Sequence, residues 1–244
     1  MTTPALAQNV RGKGRHYAGP DGELVPSVTN VISILDKPAL PRWSAKMVAE
    51  TAYRMRHALS EMDESEAVDM LKGSPWSKSK RAADRGTDIH GYLEAHLNGW
   101  HIDDLSPDAE PYRAAADAWL EANSGIEVVA TELTVFNPAY AGTMDLVCRL
   151  DGRLTIADFK TSKAIYDEAA LQLAALWGCT TDADGDPVPW RDARGLPTEP
   201  VDLLVIRIGE DKHETKHVAD PDGALTAFIS LLEAWHWRHG KAYL

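Results

Sequence analysis

Cysteine is scarce, with two residues, Cys148 and Cys179, in a chain of 244. That excludes a disulfide framework and any four-thiolate iron–sulfur cluster. Cys148 falls within an apolar run and reads as a small core residue. Long hydrophobic runs are missing as well, since no stretch approaches the roughly 18 to 20 apolar residues of a membrane span. The N-terminus, MTTPALAQNVRGKGR, lacks the apolar segment of a secretory signal, so a cytoplasmic protein is expected. Positive charge is in deficit, at 25 Lys+Arg against 37 Asp+Glu, for a net charge of −12. The deficit is uneven. Residues 1–90 hold 13 Lys+Arg against 11 Asp+Glu, which leaves 12 against 26 for the remainder. Bulk acidity disfavours nucleic acid, yet a basic patch can survive locally. The 44% hydrophobic and 25% charged content is that of a globular chain, and no internal repeat is evident.

Taken in order, residues 1 to about 15 read as a flexible arm carrying Arg11, Lys13 and Arg15. Gly19-Pro20-Asp21-Gly22 is a turn signal between two short strands, and Pro26-Ser27-Val28-Thr29 opens a helix. Residues 42–59 suit an amphipathic helix with Trp43, Met47 and Met55 inward, and 64–71 a shorter one. Ser74-Pro75 reads as the cap and first residue of a helix running to about Leu97. Gly86 and Gly91 in its interior cost ~1 kcal/mol each relative to Ala, which makes sense where something approaches that backbone. Lys72, Lys78, Lys80, Arg81 and Arg85 precede His90 with one acid, Asp84, among them. They form either a solvated helix face or a strip that contacts phosphates. Further helices are expected at 110–122, 166–179 and 223–237, and strands at 126–136, 201–208 and 212–218. Trp235 and Trp237 are two apart on the last helix, so one should pack and the other stay partly exposed. Asp182 to Asp186 hints at a calcium loop, but the glycine comes too early and Ala193 stands where a bidentate Glu is needed. The pattern gives an α/β (α+β) fold with a central mixed sheet flanked by helices. Residues 1–74 are expected to form an arm, hairpin and helical extension, and 75–244 the core.

The chemistry concentrates in AGTMDLVCRLDGRLTIADFKTSK, residues 141–163. Asp151-Gly152 is the turn signal of a hairpin. It places Asp145 on one strand and Asp158 and Lys160 on the next. Residues 158 and 160 are two apart and share a face. Two carboxylates gathered this way repel and raise each other's pKa unless a cation joins them. Oxygen ligands suit a hard divalent ion, Mg²⁺ or Mn²⁺.

Gly86-Thr87-Asp88-Ile89-His90 with Glu94, then Gly142-Thr143-Met144-Asp145, Asp158-Phe159-Lys160-Thr161 and Gln172 resemble the successive motifs of RecB-type nucleases of the PD-(D/E)XK superfamily. The resemblance covers Trp76 to Ile208 and is nearest to phage-encoded exonucleases of the CRISPR-associated RecB-like group. It implies a restriction-endonuclease-like core and metal ligands at His90, Asp145, Asp158 and the Phe159 backbone carbonyl. It further implies Lys160 as the residue that positions or deprotonates water and stabilises the phosphate, with Gln172 contacting the site or DNA. Glu94, one helical turn beyond His90, orients the histidine, assists the metal or only forms a surface ion pair. Lys78, Lys80, Arg81 and Arg85 become DNA contacts. The chain departs from the pattern at Leu176, where relatives carry a tyrosine, which puts one DNA contact in doubt. The implied activity is a Mg²⁺- or Mn²⁺-dependent DNA exonuclease in phage replication, recombination or repair. The alternatives are a structure-specific endonuclease on the same core and a catalytically silent DNA-binding or assembly protein. Ring-shaped homo-oligomers occur in the superfamily, though no feature of this sequence establishes one.

Overall fold

In the computed structural model, which describes residues 6–20, 22–101 and 104–240, the chain opens with three short antiparallel strands. These are β1 (Ala7–Val10), β2 (Gly14–Ala18) and β3 (Leu24–Pro26). Residues 7–15 are therefore a hairpin where a flexible arm was expected; residues 1–5 of that arm lie outside the described part. Gly12 and Gly14 take φ of +75° and +78°, which lets the chain reverse. The Asn30 side-chain amide then holds the carbonyls of Lys13 and Arg15. At the Gly19–Gly22 turn, Gly22 N–H donates to Gly19 O at 2.8 Å; Asp21 of that signal lies outside the described residues.

Helix α1 (Val28–Ile32) is capped by Ser27, whose hydroxyl accepts from Asn30 N–H at 3.1 Å. Helix α2 (Ala39–Arg54) starts earlier than the expected residue 42, because Pro41 sits in its first turn, where no amide donor is required. Met55 interrupts it before α3 (Arg56–Leu59).

The largest departure from expectation is α4 (Glu64–Asn98), one helix of 35 residues where two were expected. Ser74-Pro75 does not start it. Pro75 lacks the N–H that would bond the Leu71 carbonyl, and the Ser74 hydroxyl donates to that carbonyl instead, at 2.8 Å. The cap is Asp63, which accepts from Glu66 N–H at 3.0 Å. The expected division at residue 74 thus falls inside a continuous helix.

After a single 3-10 turn (Glu110–Tyr112) come α5 (Arg113–Ala122), β4 (Glu127–Asn137), β5 (Tyr140–Leu150) and β6 (Arg153–Lys160). Then follow α6 (Glu168–Trp177), β7 (Thr181–Asp182), β8 (Val201–Ile208), β9 (His213–His217) and α7 (Pro221–His239). Asp151 and Gly152 both take positive φ, 50° and 77°, as the hairpin turn requires. The six strands run β7-β4-β5-β6-β8-β9. Only β6 and β8 are parallel, and α6 lies in the connection between them.

Alternation along the strands supplies two cores. Val147, Ile156 and Val205 point to the face covered by α1, α6 and α7. Leu146, Cys148, Phe159 and Ile206 point to the face covered by α4 and α5. Burial on both faces explains the nearly unbroken apolar run of β8. Trp235 is buried and Trp237 is 66% exposed. The arrangement is a mixed α/β fold with a six-stranded mixed sheet between helices and an N-terminal helical part, consistent with a restriction-endonuclease-like core. No helix among the described residues is long and apolar enough to cross a membrane.

Candidate metal centre

Hairpin arithmetic brings the acids together. The β5–β6 ladder pairs Leu146 with Ala157, so the next step sets Asp145 opposite Asp158. The β4–β5 ladder pairs Thr131 with Leu146 and Leu133 with Met144, so Glu132 stands opposite Asp145 on the other side. Three carboxylate residues therefore occupy one row across three neighbouring strands. The β5–β6 ladder stops just before this row, and the β4–β5 ladder skips it and resumes at Leu133–Met144. Asp145 Oδ2 accepts the Phe159 N–H at 2.6 Å, and Glu132 takes a φ of +47°, a strained conformation for a side chain of its size.

Helix α4 brings His90 over the row, with Nδ1 3.5 Å from Asp145 Oδ1. Phe159 meets the imidazole edge-on at 6.1 Å between ring centres. Ligand atoms of His90, Glu132 and Asp145 all lie within 4.8 Å of one another. Opposite ligands of an octahedral ion with 2.1 Å bonds stand roughly 4.2 Å apart, so small side-chain shifts close the set on one ion. Lys160 Nζ lies 2.6 Å from Asp158 Oδ2 and donates to Gln172 Oε1 at 3.1 Å. Gln172 Nε2 donates to Asp158 Oδ1 at 2.8 Å. Lys160, Gln172 and Asp158 are thereby locked in a triangle. Glu94 accepts from the Thr131 hydroxyl at 3.1 Å and faces the same cleft, outside the group of three.

The electrostatics record the crowding. Desolvation and the charge of Asp145 push the Glu132 carboxyl up to about 7, with His90 partly offsetting them. Burial pushes Asp158 up to about 6; Lys160 opposes this and Asp145 adds to it. Burial alone would lower His90, but the neighbouring Asp145 and Asp158 outweigh it and raise the imidazole to about 9. Lys160 is likewise raised by Asp158 and Asp145 against its burial. Asp145 goes the other way: burial would raise it, but His90, Lys160 and the Phe159 amide together hold it low. Two acids forced upward beside a histidine and a lysine that stay charged mark a site short of positive charge. A divalent cation fits that donor set.

The cleft, about 620 Å³, is closed on its other side by the N-terminal sheet, which contributes Arg15 and Tyr17. Tyr17 Oη lies 3.1 Å from Thr143 Oγ1, which lies 3.1 Å from Thr134 Oγ1. Gly142 packs closely here: a Cβ would sit 2.6 Å from Leu176 Cδ2, so that side chain would have to shift. Gly86 lets α4 approach the strand-to-helix loop, where a Cβ would sit 3.3 Å from Thr161 Oγ1, whereas Gly91 meets nothing and simply borders the cleft. His90, Glu94, Asp145, Asp158, Lys160 and Gln172 all line this one cleft. Arg85 does not, and Lys78, Lys80 and Arg81 lie farther along α4. Lys80 is tied to Asp84 at 2.6 Å, and Arg81 bidentately to Asp108. Glu132, Arg15 and Tyr17 escape a reading of motifs. Glu132 was recoverable from hairpin arithmetic, because Asn137 pairs with Tyr140 and fixes what faces Asp145. Nothing local signals Arg15 or Tyr17.

No protein-family model and no curated protein matches the chain. Solved structures similar to it include two at a low level. One, titled the crystal structure of SSO0001, is 14% identical over 65% of this chain and 77% of its own, with a TM-score of 0.32. The other, an alkaline exonuclease (LHK-Exo) from Laribacter hongkongensis, is 13% identical over 64% of this chain and 89% of its own, with a TM-score of 0.29. Scores of this size leave the function of the chain to its own geometry.

Proposed function

We propose that the protein is a divalent-metal-dependent deoxyribonuclease that hydrolyses phosphodiester bonds at DNA ends. The setting that the motif resemblance gives is phage DNA replication, recombination or repair. The observation that carries the reading is the convergence of Glu132, Asp145, Asp158, His90 and Lys160 in one cleft. His90, Asp145 and Glu132, with Asp158 and the Phe159 carbonyl beside them, would hold Mg²⁺ or Mn²⁺. When bound, such an ion supplies Lewis acidity at a phosphoryl oxygen and makes a nearby water more acidic.

The protein's own groups do the rest. Lys160 keeps its proton, so its ammonium stabilises negative charge building on the phosphate rather than acting as a base. Asp158 and Gln172 fix that ammonium in place. Asp145 holds the His90 ring and accepts the Phe159 amide, which ties the ligand set to the backbone of β6. Glu94 positions β4 through Thr131, next to Glu132.

The test is digestion of end-labelled linear DNA and closed circles with Mg²⁺, Mn²⁺ or chelator, with Lys160→Ala as control. Metal-dependent loss of linear DNA alone, abolished by the substitution, is the expected result. Cutting of circles would replace the end-directed reading with an endonuclease. Folded protein that cuts neither would sink the nuclease reading.

A further inference from the structure

We propose that the cavity between α2 and α4 is a binding site for a single DNA strand and feeds that strand to the metal centre. The identity of the strand as DNA rests on the nuclease reading above; the site itself stands on its own chemistry. The cavity, about 690 Å³, is lined by Trp43, Arg54, Lys78, Arg85 and Lys163 among others. Among the described residues none of these four cations has a carboxylate within salt-bridge distance, and Lys78 Nζ instead rests 3.2 Å from Met47 Sδ. Of the two acids on the wall, Asp108 bonds Arg81 at 2.7 Å and feels Arg85 at longer range, and Glu50 pairs with Lys46 at 3.5 Å. A chain of net charge −12 thus concentrates an excess of positive charge in one concave place, the footprint of a polyanion.

Arg85 is preorganised for such a ligand. Its guanidinium lies 4.7 Å over the Tyr112 ring, and its Nε is buried without a hydrogen-bond partner. Stacking holds the fork in one plane. The cavity adjoins the catalytic cleft along α4, although the two share no lining residue. Ala83 and Gly86 of α4 line the cleft, and their neighbours Ala82 and Arg85 line the cavity. Lys163 follows Lys160 by three residues, a reach of roughly 10 Å at most. A phosphate at the metal centre therefore places its neighbours along Lys163 and Arg85 towards Lys78, with Trp43 available for base stacking.

Size decides between one strand and two. The cavity has the volume of a small-ligand pocket and takes a few nucleotides of one strand. A B-form duplex, with two backbones wrapped around a stacked base-pair core, is too bulky to enter it.

The experiment titrates full-length protein in chelator with fluorescent oligo(dT), blunt duplex and oligo(U), at several salt concentrations. Lys78→Glu/Lys163→Glu is expected to weaken oligo(dT) binding at least tenfold and to reduce the log–log salt slope by about 1.4, for two phosphate contacts. Arg85→Gln, used only if its thermal melting is unchanged, should weaken binding in the same direction. Lys216→Glu, on the outer strand β9, should bind as wild type does. Unchanged affinity in the double variant, duplex bound as tightly as oligo(dT), or tighter binding of oligo(U) would each overturn the proposal. Hydrolysis of bis(p-nitrophenyl) phosphate by wild type with Mn²⁺ tests the nuclease reading separately. If that fails, the titration in chelator still scores the cavity.

Discussion

On strands β4, β5 and β6, Glu132, Asp145 and Asp158 stand in one row, and the register of the flanking pairs sets like charges opposite each other. On helix α4, an equally dense run of one sign finds partners: Lys80 takes Asp84 one turn on, and Arg81 takes Asp108. A helix spreads neighbouring residues around its axis and lets i,i+4 pairs form, whereas a sheet fixes who faces whom. Charge crowded on a sheet is therefore costly, and the protein retains it where a cation can offset it. Charge on a helix is cheap to neutralise, so the cations left without carboxylates, such as Arg85 and Lys78, are the informative ones.

Removing an acid from the row should have the largest effect. Asp145→Ala or Asp158→Ala is expected to lower metal-dependent DNA cleavage by at least ~10³-fold, about 4 kcal/mol in the barrier. Mn²⁺ calorimetry should show lost binding with the fold retained by circular dichroism. Cleavage at wild-type rates by either variant would mean that the row is not the catalytic centre.

The raised groups sharpen the comparison through pH. His90 holds its proton to about 9, Glu132 to about 7 and Asp158 to about 6. Each proton must leave before a cation takes its place, so Mn²⁺ affinity should rise between pH 6 and 9. The rise should be on the order of tenfold per pH unit for each proton displaced. Calorimetry in buffers of different ionisation enthalpy counts those protons, and an affinity flat across this range would refute the crowded-charge account.

Packing around the row comes next. Gly142→Ala should destabilise by about 1–3 kcal/mol, since its methyl would meet Leu176 Cδ2 and Val28 Cγ2. Leu176→Ala in the same protein should recover part of the loss in chemical denaturation. On the helix side, Ser74→Ala leaves the Leu71 carbonyl without its donor beside Pro75 and should cost about 1 kcal/mol. The smallest effect belongs to Lys80→Gln, whose charge is already answered by Asp84. DNA affinity should change by less than twofold, on the order of one weak phosphate contact or less. A larger loss there than for Lys78→Glu/Lys163→Glu would reverse the comparison between paired and free cations.

Much of the candidate site was legible in the chain because its chemistry is local. Asp151-Gly152 sets a two-residue turn, and counting back from that turn puts Asp145 against Asp158. Glu132 needed the same counting on the neighbouring hairpin, where no motif draws attention to it. The helical region was less legible. Ser74-Pro75 carries every mark of a helix start, yet a serine hydroxyl can serve the carbonyl that proline abandons, and that substitution depends on one side-chain rotamer. The glycine-rich start looked like a mobile arm because its strands are short and polar and owe their order to distant partners.

By itself, the sequence determined the alternation of the central strands, the hairpin turns, the exclusion of thiolate clusters and the face on which Asp158 and Lys160 stand. These follow from φ preferences and two-residue periodicity, which act over a few residues. Tertiary structure decided what closes the cleft. Ser27 bridges to Ala141, and Tyr17 packs edge-on against Phe136, which brings Arg15 and the Tyr17 hydroxyl to the candidate site more than a hundred residues away in the chain. It also decided which cations of α4 are paired, because Asp108 and Tyr112 reach that helix only once α5 and its preceding turn are packed. Contacts of this range depend on burial and shape, which no local pattern in the chain encodes.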